Sequence, residues 1–152
     1  MKRFFIILIV LTAAGGAVWF TLLRPEAISQ ETLTQDFETR RQAYEDVAYY
    51  LKKKGIAAEI TDIPKSGEQY DGVAAEDSDD YRAFADGINV IMQKDHDAVI
   101  SDGNTVEFVY HSTGGRLQRL YGSVIFNGEK QVEGRITVPL TTDGWHLYLA
   151  QG

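Results

Sequence analysis

The run DAVISDGNTVEFVYHS, residues 97–112, decides how this chain folds. Val99 stands before the pair Asp102-Gly103, and Val106, Phe108 and Tyr110 follow it at every second position. A period of two marks a strand with one buried face, and Asp-Gly between two such segments marks a hairpin. The rhythm continues downstream. Segments 97–101, 104–112, 117–126, 132–140 and 145–150 are separated by Asp102-Gly103, Gly114-Gly115, Asn127-Gly128 and Asp143-Gly144. This predicts an antiparallel meander of roughly five strands.

Alternation also restricts register, because a slip of one residue turns every side chain to the opposite face. One face collects Val99, Val106, Phe108, Tyr110, Leu120, Val124, Phe126, Ile136, Val138, Leu140, Trp145, Leu147 and Leu149. A tight turn at Asp102-Gly103 pairs Val99 with Val106. A tight turn at Asn127-Gly128 would set Leu120 opposite Arg135, apolar against charged. That loop is therefore expected to open to 127–131, pairing Phe126 with Val132 and Leu120 with Val138. The same reasoning sets Tyr110 opposite Leu120, Gly122 opposite Phe108, and Val138 opposite Leu147. Pro139 has no N–H to donate, so one side of its strand should be unpaired or bulged.

The other face then carries three rows. They are His111, Arg119, Pro139 and His146; Val109, Tyr121, Thr137 and Tyr148; and Glu107, Ser123, Arg135 and Ala150. His111, Arg119, Tyr121, His146 and Tyr148 form a candidate site for a ligand or partner, with cations to hydrogen-bond an anion and rings to stack on a sugar. The plain alternative is a solvated outer face whose long side chains pair across strands.

Upstream the period is helical. Leu33, Phe37, Tyr44, Val47, Ala48 and Leu51 recur at steps of three, four and seven, predicting a helix over about 30–54. Ser29 or Thr32 can cap it, and Thr32 with Gln35 has capping-box spacing. Lys52-Lys53-Lys54 and Gly55 suit its end, where cations complement the dipole and glycine reverses the backbone. Residues 56–63 read as a short strand or extended return closed by Pro64, and 65–80 as a loop. A second stripe of Tyr81, Phe84, Ile88, Ile91 and Met92 predicts another helix, although Gly87 inside it costs about 1 kcal/mol relative to alanine. The two stripes can cover the apolar face of the sheet, giving a two-layer α+β domain.

Residues 4–23, FFIILIVLTAAGGAVWFTLL, contain no charge and follow Lys2 and Arg3. Twenty residues at 1.5 Å each match a bilayer core of about 30 Å. The expectation is a transmembrane signal-anchor over 1–24, contacting the lipid bilayer through residues 4–23, a short tether over 25–30 and one extracytoplasmic domain over 31–152. The flanking positive charges place the N-terminus in the cytoplasm. A cleaved signal peptide is the alternative, because Ala13-Ala14-Gly15-Gly16-Ala17 offers small residues for a peptidase, and cleavage there would release a secreted domain.

Beyond the head, about 128 residues are enough for one domain with its own core. Three of the 15 basic residues lie in the head, so the rest carries 12 basic against 22 acidic side chains, a balance of −10. That sign disfavours nucleic acid as a partner. With no cysteine, disulfides, thiolate catalysis and cysteine metal sites are excluded. Asp95-His96-Asp97 has the residue types of a metal cluster, but neighbours on a strand point to opposite faces, so it reads as a solvated turn. Glu76-Asp77-Ser78-Asp79-Asp80 lacks the sixth-position glycine and final glutamate of a calcium loop and reads as the acidic start of the second helix. No Gly-x-Ser-x-Gly elbow, His-Glu-x-x-His, phosphate loop or dinucleotide fingerprint occurs. No catalytic residue, metal or cofactor is therefore assigned.

The layout resembles small single-pass membrane-anchored proteins of Gram-positive bacteria that have no assigned function. The segments that carry the resemblance are YEDVAYYL at 44–51, GNTVEF at 103–108, YGSV at 121–124 and DGWHLY at 143–148. It implies location and fold, and brings no catalytic residue with it. Two functional expectations follow. The first is a membrane-tethered interaction or sensor domain that binds a protein or envelope component through the outer sheet face. The second is an extracytoplasmic hydrolase or small-molecule-binding domain built around a histidine.

Overall fold

A computed structural model of the chain describes residues 28–65, 68–93, 96–112, 120–128 and 136–150. Helix α1 (Gln30–Lys54) begins where Ser29 Oγ accepts the Thr32 amide at 3.0 Å. It ends at Gly55, whose left-handed backbone (φ 63°) returns its N–H to the carbonyls of Leu51 and Lys52. Glycine meets no steric penalty in that region. Leu33, Phe37, Tyr44, Val47, Ala48 and Leu51 are all fully buried, as the stripe predicts. The helix departs from regular geometry at Arg40 (φ −115°, ψ 19°).

Helix α2 (Asp79–Met92) starts at Ser78, whose Oγ accepts the Tyr81 amide at 3.2 Å, with Asp79 and Asp80 in the first turn. Phe84, Ile88 and Ile91 are fully buried. Gly87 has a packing reason. A Cβ there would lie 2.9 Å from both the Ala43 carbonyl oxygen and Val47 Cγ2, so the missing side chain lets α1 and α2 cross closely.

The sheet has six strands, all paired antiparallel: β1 (Ala57–Ile60), β2 (His96–Asp102), β3 (Val106–Ser112), β4 (Leu120–Phe126), β5 (Ile136–Pro139) and β6 (Trp145–Ala150). Their spatial order is β1-β2-β3-β4-β6-β5. The segment read as a strand or return thus contributes an edge strand.

The meander is corrected in one respect. β6 inserts between β4 and β5, so Phe126 faces Trp145 and not Val132, Val124 faces Leu147, and the strand carrying Val138 is not the neighbour of β4. The exchange brings the Trp145 ring within 4.9 Å of Phe37 and 4.8 Å of Phe126, at the centre of the core. The four-residue β5 goes to the edge, where Pro139 is tolerated, and Val138 faces Leu147 as expected.

Two registers also move by two residues, which preserves the faces. Val99 pairs with Phe108, and Tyr110 pairs with Gly122. The first shift has a local cause. Asp102 Oδ1 accepts the amides of Asn104 (2.8 Å) and Thr105 (2.7 Å), so the turn spans residues 102–105 and is not a two-residue loop.

Both helices lie on the face carrying Val99, Val106, Phe108, Val124, Phe126, Trp145 and Leu147, all in one core cluster with the helix stripes. Among the described residues no helix is long and apolar enough to cross a membrane; the apolar run 4–23 lies outside them.

Candidate functional site

The residues expected on the outer face do not gather at one place. Arg119 lies outside the described residues. His111 and Tyr121 face each other across β3 and β4, so the register brings those two together. His146 is half-buried on β6 between Ile125 and Pro139, two rows from His111 and Tyr121 with the Tyr148 row between, so the expected pairing of His111 and His146 in one row does not form. Tyr148 lies between Ser123 and Thr137 and is 0% exposed, packed in a small apolar cluster with Ile125. Its ring is therefore not offered to solvent. Glu107, only 5% exposed, accepts the Ser123 hydroxyl at 2.8 Å. The middle of this face is consequently a packed layer that includes the Glu107–Ser123 polar pair.

A second, partly buried polar group lies on the opposite face of the sheet, between α1 and the start of β2. Asp36, Arg40 and Tyr44 are four residues apart on α1 and so share one helix face. Arg40 Nη2 donates to Asp36 Oδ1, and Tyr44 Oη lies 2.6 Å from Asp36 Oδ2. On its other side Tyr44 Oη lies 2.7 Å from His96 Nε2. Arg40 Nη1 also reaches the Val90 and Ile91 carbonyls at 3.5 Å each. The last turn of α2 holds no basic residue, so Arg40 supplies from α1 the cation that complements its dipole. The side chains of Asp36 and Arg40 are 11% and 13% exposed, and that of His96 is 0%. Burial holds the Tyr44 hydroxyl well above the ordinary tyrosine range, an effect the Arg40 charge opposes. Tyr44 is a hydrogen-bonding group here and stays protonated.

His96 corrects the solvated-turn reading. Strict alternation from Val99 would put it on the outer face beside Ala98. A β-bulge intervenes, with His96 opposite Tyr110, Ala98 opposite Val109, and Asp97 as the extra residue. The bulge turns the imidazole into the core, edge-on to Tyr110 at 5.1 Å and to Tyr44 at 5.8 Å. A trace of this group is present in the α1 pattern. The apolar stripe steps from Phe37 straight to Tyr44, and Arg40 occupies the skipped position.

A cleft of about 330 Å³ runs along the α1–α2 crossing, lined among others by Arg40, Ala43, Asp46, Asp86, Gly87 and Val90. It contains acids and no histidine, whereas His96 meets Asp36 in a closed interior. The cleft itself therefore does not set a histidine base beside an acid. Nor does any group of three His, Cys, Asp or Glu among the described residues have metal-holding geometry. No protein family, curated protein or solved structure matches this chain.

Proposed function

We propose that this protein is a membrane-tethered extracytoplasmic interaction or sensor domain that binds a protein or envelope component. The observation that carries the reading is the uncharged run 4–23 behind Lys2 and Arg3, only a few residues ahead of the Gln30 start of α1. A span of that length matches a bilayer, and residues 25–29, fully extended, reach roughly 20 Å. The domain then works close to a lipid surface. The resemblance to single-pass proteins of Gram-positive bacteria supports the same location, and the balance of −10 beyond the head argues for a partner other than nucleic acid.

The contact surface we assign is the outer-face end where His111 faces Tyr121, with Arg119 two residues before Tyr121 in sequence and His146 two rows further along. Tyr148 supports that surface from below, because its ring is enclosed.

Two measurements test the reading. Mass spectrometry of the membrane-extracted protein is expected to find residues 4–23 retained; a mature N-terminus within 13–18 would release the domain and end the tethering part. Cross-linking in the native membrane is expected to yield a product that Arg119→Glu with Tyr121→Ala abolishes, at an unchanged denaturation midpoint. A product that survives both substitutions would remove the assigned surface.

A further inference from the structure

The side of the α1–α2 pair that faces away from the sheet carries an inference independent of both the tether and the outer sheet face. The cleft at the helix crossing adjoins a second hollow of about 200 Å³, whose walls include Tyr49, Tyr50, Lys53 and Asp80. Asp46 lines both, so the two form one groove. Along α1 it runs from Thr39 to Lys53, a length of roughly 21 Å at 1.5 Å per residue.

The charges of this groove are not balanced from within. Arg40 is taken by Asp36, and Lys53 by Asp80 at 2.6 Å. Asp46 from α1 and Asp86 from α2 are in no ion pair among the described residues. Asp46 Oδ1 accepts the Gln42 carboxamide at 2.8 Å, a neutral donor that leaves its charge uncompensated. Tyr50 gives an independent sign of a missing partner. It is 3% exposed, and its hydroxyl has no hydrogen-bond partner. A polar group closed off from water in this way bears the desolvation cost without the bond that offsets it. Beside it Tyr49 is 50% exposed, its ring held edge-on to Phe126 at 5.0 Å. The groove thus lacks a positively charged hydrogen-bond donor, and it presents an aromatic ring on which such a group can stack.

We propose that this groove binds an extended basic segment of a partner polypeptide, whose lysine or arginine side chains pair with Asp46 and Asp86, donate to Tyr50 Oη and pack on the Tyr49 ring. Ammonium and guanidinium groups donate and do not accept, which suits two carboxylates and an unpaired phenol oxygen. At about 3.3–3.6 Å per extended residue, the groove holds about six residues. The balance of −10 beyond the head draws a basic chain toward it and repels a second copy of this one. A neutral sugar meets the hydrogen bonds but leaves both carboxylate charges uncompensated.

The test is fluorescence anisotropy of a dye-labelled hexapeptide of alternating lysine and alanine, titrated with the full-length chain in nonionic detergent at physiological ionic strength. Wild type is expected to bind, and Asp46→Asn with Asp86→Asn to weaken binding about tenfold. Asp62→Asn with Asp71→Asn removes the same charge from exposed positions outside the groove, where salt screens it, and is expected to stay within about twofold of wild type. Tyr50→Phe loses no hydrogen bond of the folded domain and is expected to bind more weakly without a lower urea midpoint. Equal losses in the two carboxamide pairs would mean that net charge alone attracts the peptide. Wild-type affinity in Asp46→Asn with Asp86→Asn, or in Tyr50→Phe, would place the peptide elsewhere. Each of these results overturns the proposal, as does a wild type that binds no peptide or that takes a labelled neutral maltohexaose in its place.

Discussion

Tyr44 and Tyr50 stand on the same helix with opposite hydrogen-bond positions. Tyr44 Oη donates to the Asp36 carboxylate inside the core, whereas the buried Tyr50 Oη has no hydrogen-bond partner and its ring stacks on Phe84 at 4.7 Å. Removing a donor to a buried charge costs about 1.5–3 kcal/mol, while deleting an unpaired buried hydroxyl is close to neutral or stabilising. Tyr44→Phe is thus expected to lower the urea midpoint clearly and Tyr50→Phe to leave or raise it; equal losses would contradict the assignment. Asp102 makes a second residue-scale prediction. The Thr105 amide, then the Asn104 amide, hold its carboxyl below the ordinary aspartate range. A lowered folded value contributes stability above the unfolded value of about 3.9 and loses it as pH falls through the folded value. Wild type should accordingly exceed Asp102→Asn in stability at pH 6, and the two should converge as the pH drops below about 4.

The helix crossing shows how packing overrides propensity. Alanine favours a helix over glycine by about 1 kcal/mol, yet at position 87 its Cβ would meet the Ala43 carbonyl and Val47 at 2.9 Å. Overpacking of this kind costs about 1–3 kcal/mol, so Gly87→Ala should be net destabilising in thermal unfolding. Ser78→Ala should cost about 1 kcal/mol through loss of the cap on α2. These element-level features were largely readable from the chain. The ends of α1 follow from Ser29, Lys52-Lys53-Lys54 and Gly55, which act within a turn of where they stand. The faces of β3 to β6, and of β2 from Ala98 onward, follow from period two. The order of β5 and β6 did not follow, because both carry the same alternation and only the fit of Trp145 beneath Phe37 distinguishes them. The Asp102 turn and the Asp97 bulge were hidden for a related reason: each depends on hydrogen bonds that leave no periodic mark. His111, Tyr121, His146 and Tyr148 were placed on the correct strands, but nothing in alternation reveals that Tyr148 is enclosed.

Across the whole molecule, the sheet grades from the centre outward. β3 and β4 are flanked on both sides, whereas β1 and β5 each pair with one neighbour. Hydrogen exchange should be slowest in β3, β4 and β6 and fastest in β1 and β5, since amides on exposed edges open locally. Equal protection in β5 and β4 would contradict this strand order. The inserted position of β6 also bears on how the protein is made. Every other described element leaves the ribosome before it, yet Trp145 and Leu147 are fully buried at the middle of the core. A nascent chain that has reached only Gly144 can cap both helices and close the β2–β3 hairpin, but Phe37 and Phe126 still lack the ring that lies between them. The domain closes when its sixth strand arrives. A stop codon placed just ahead of Trp145 should therefore yield a polypeptide that cellular proteases degrade as unfolded.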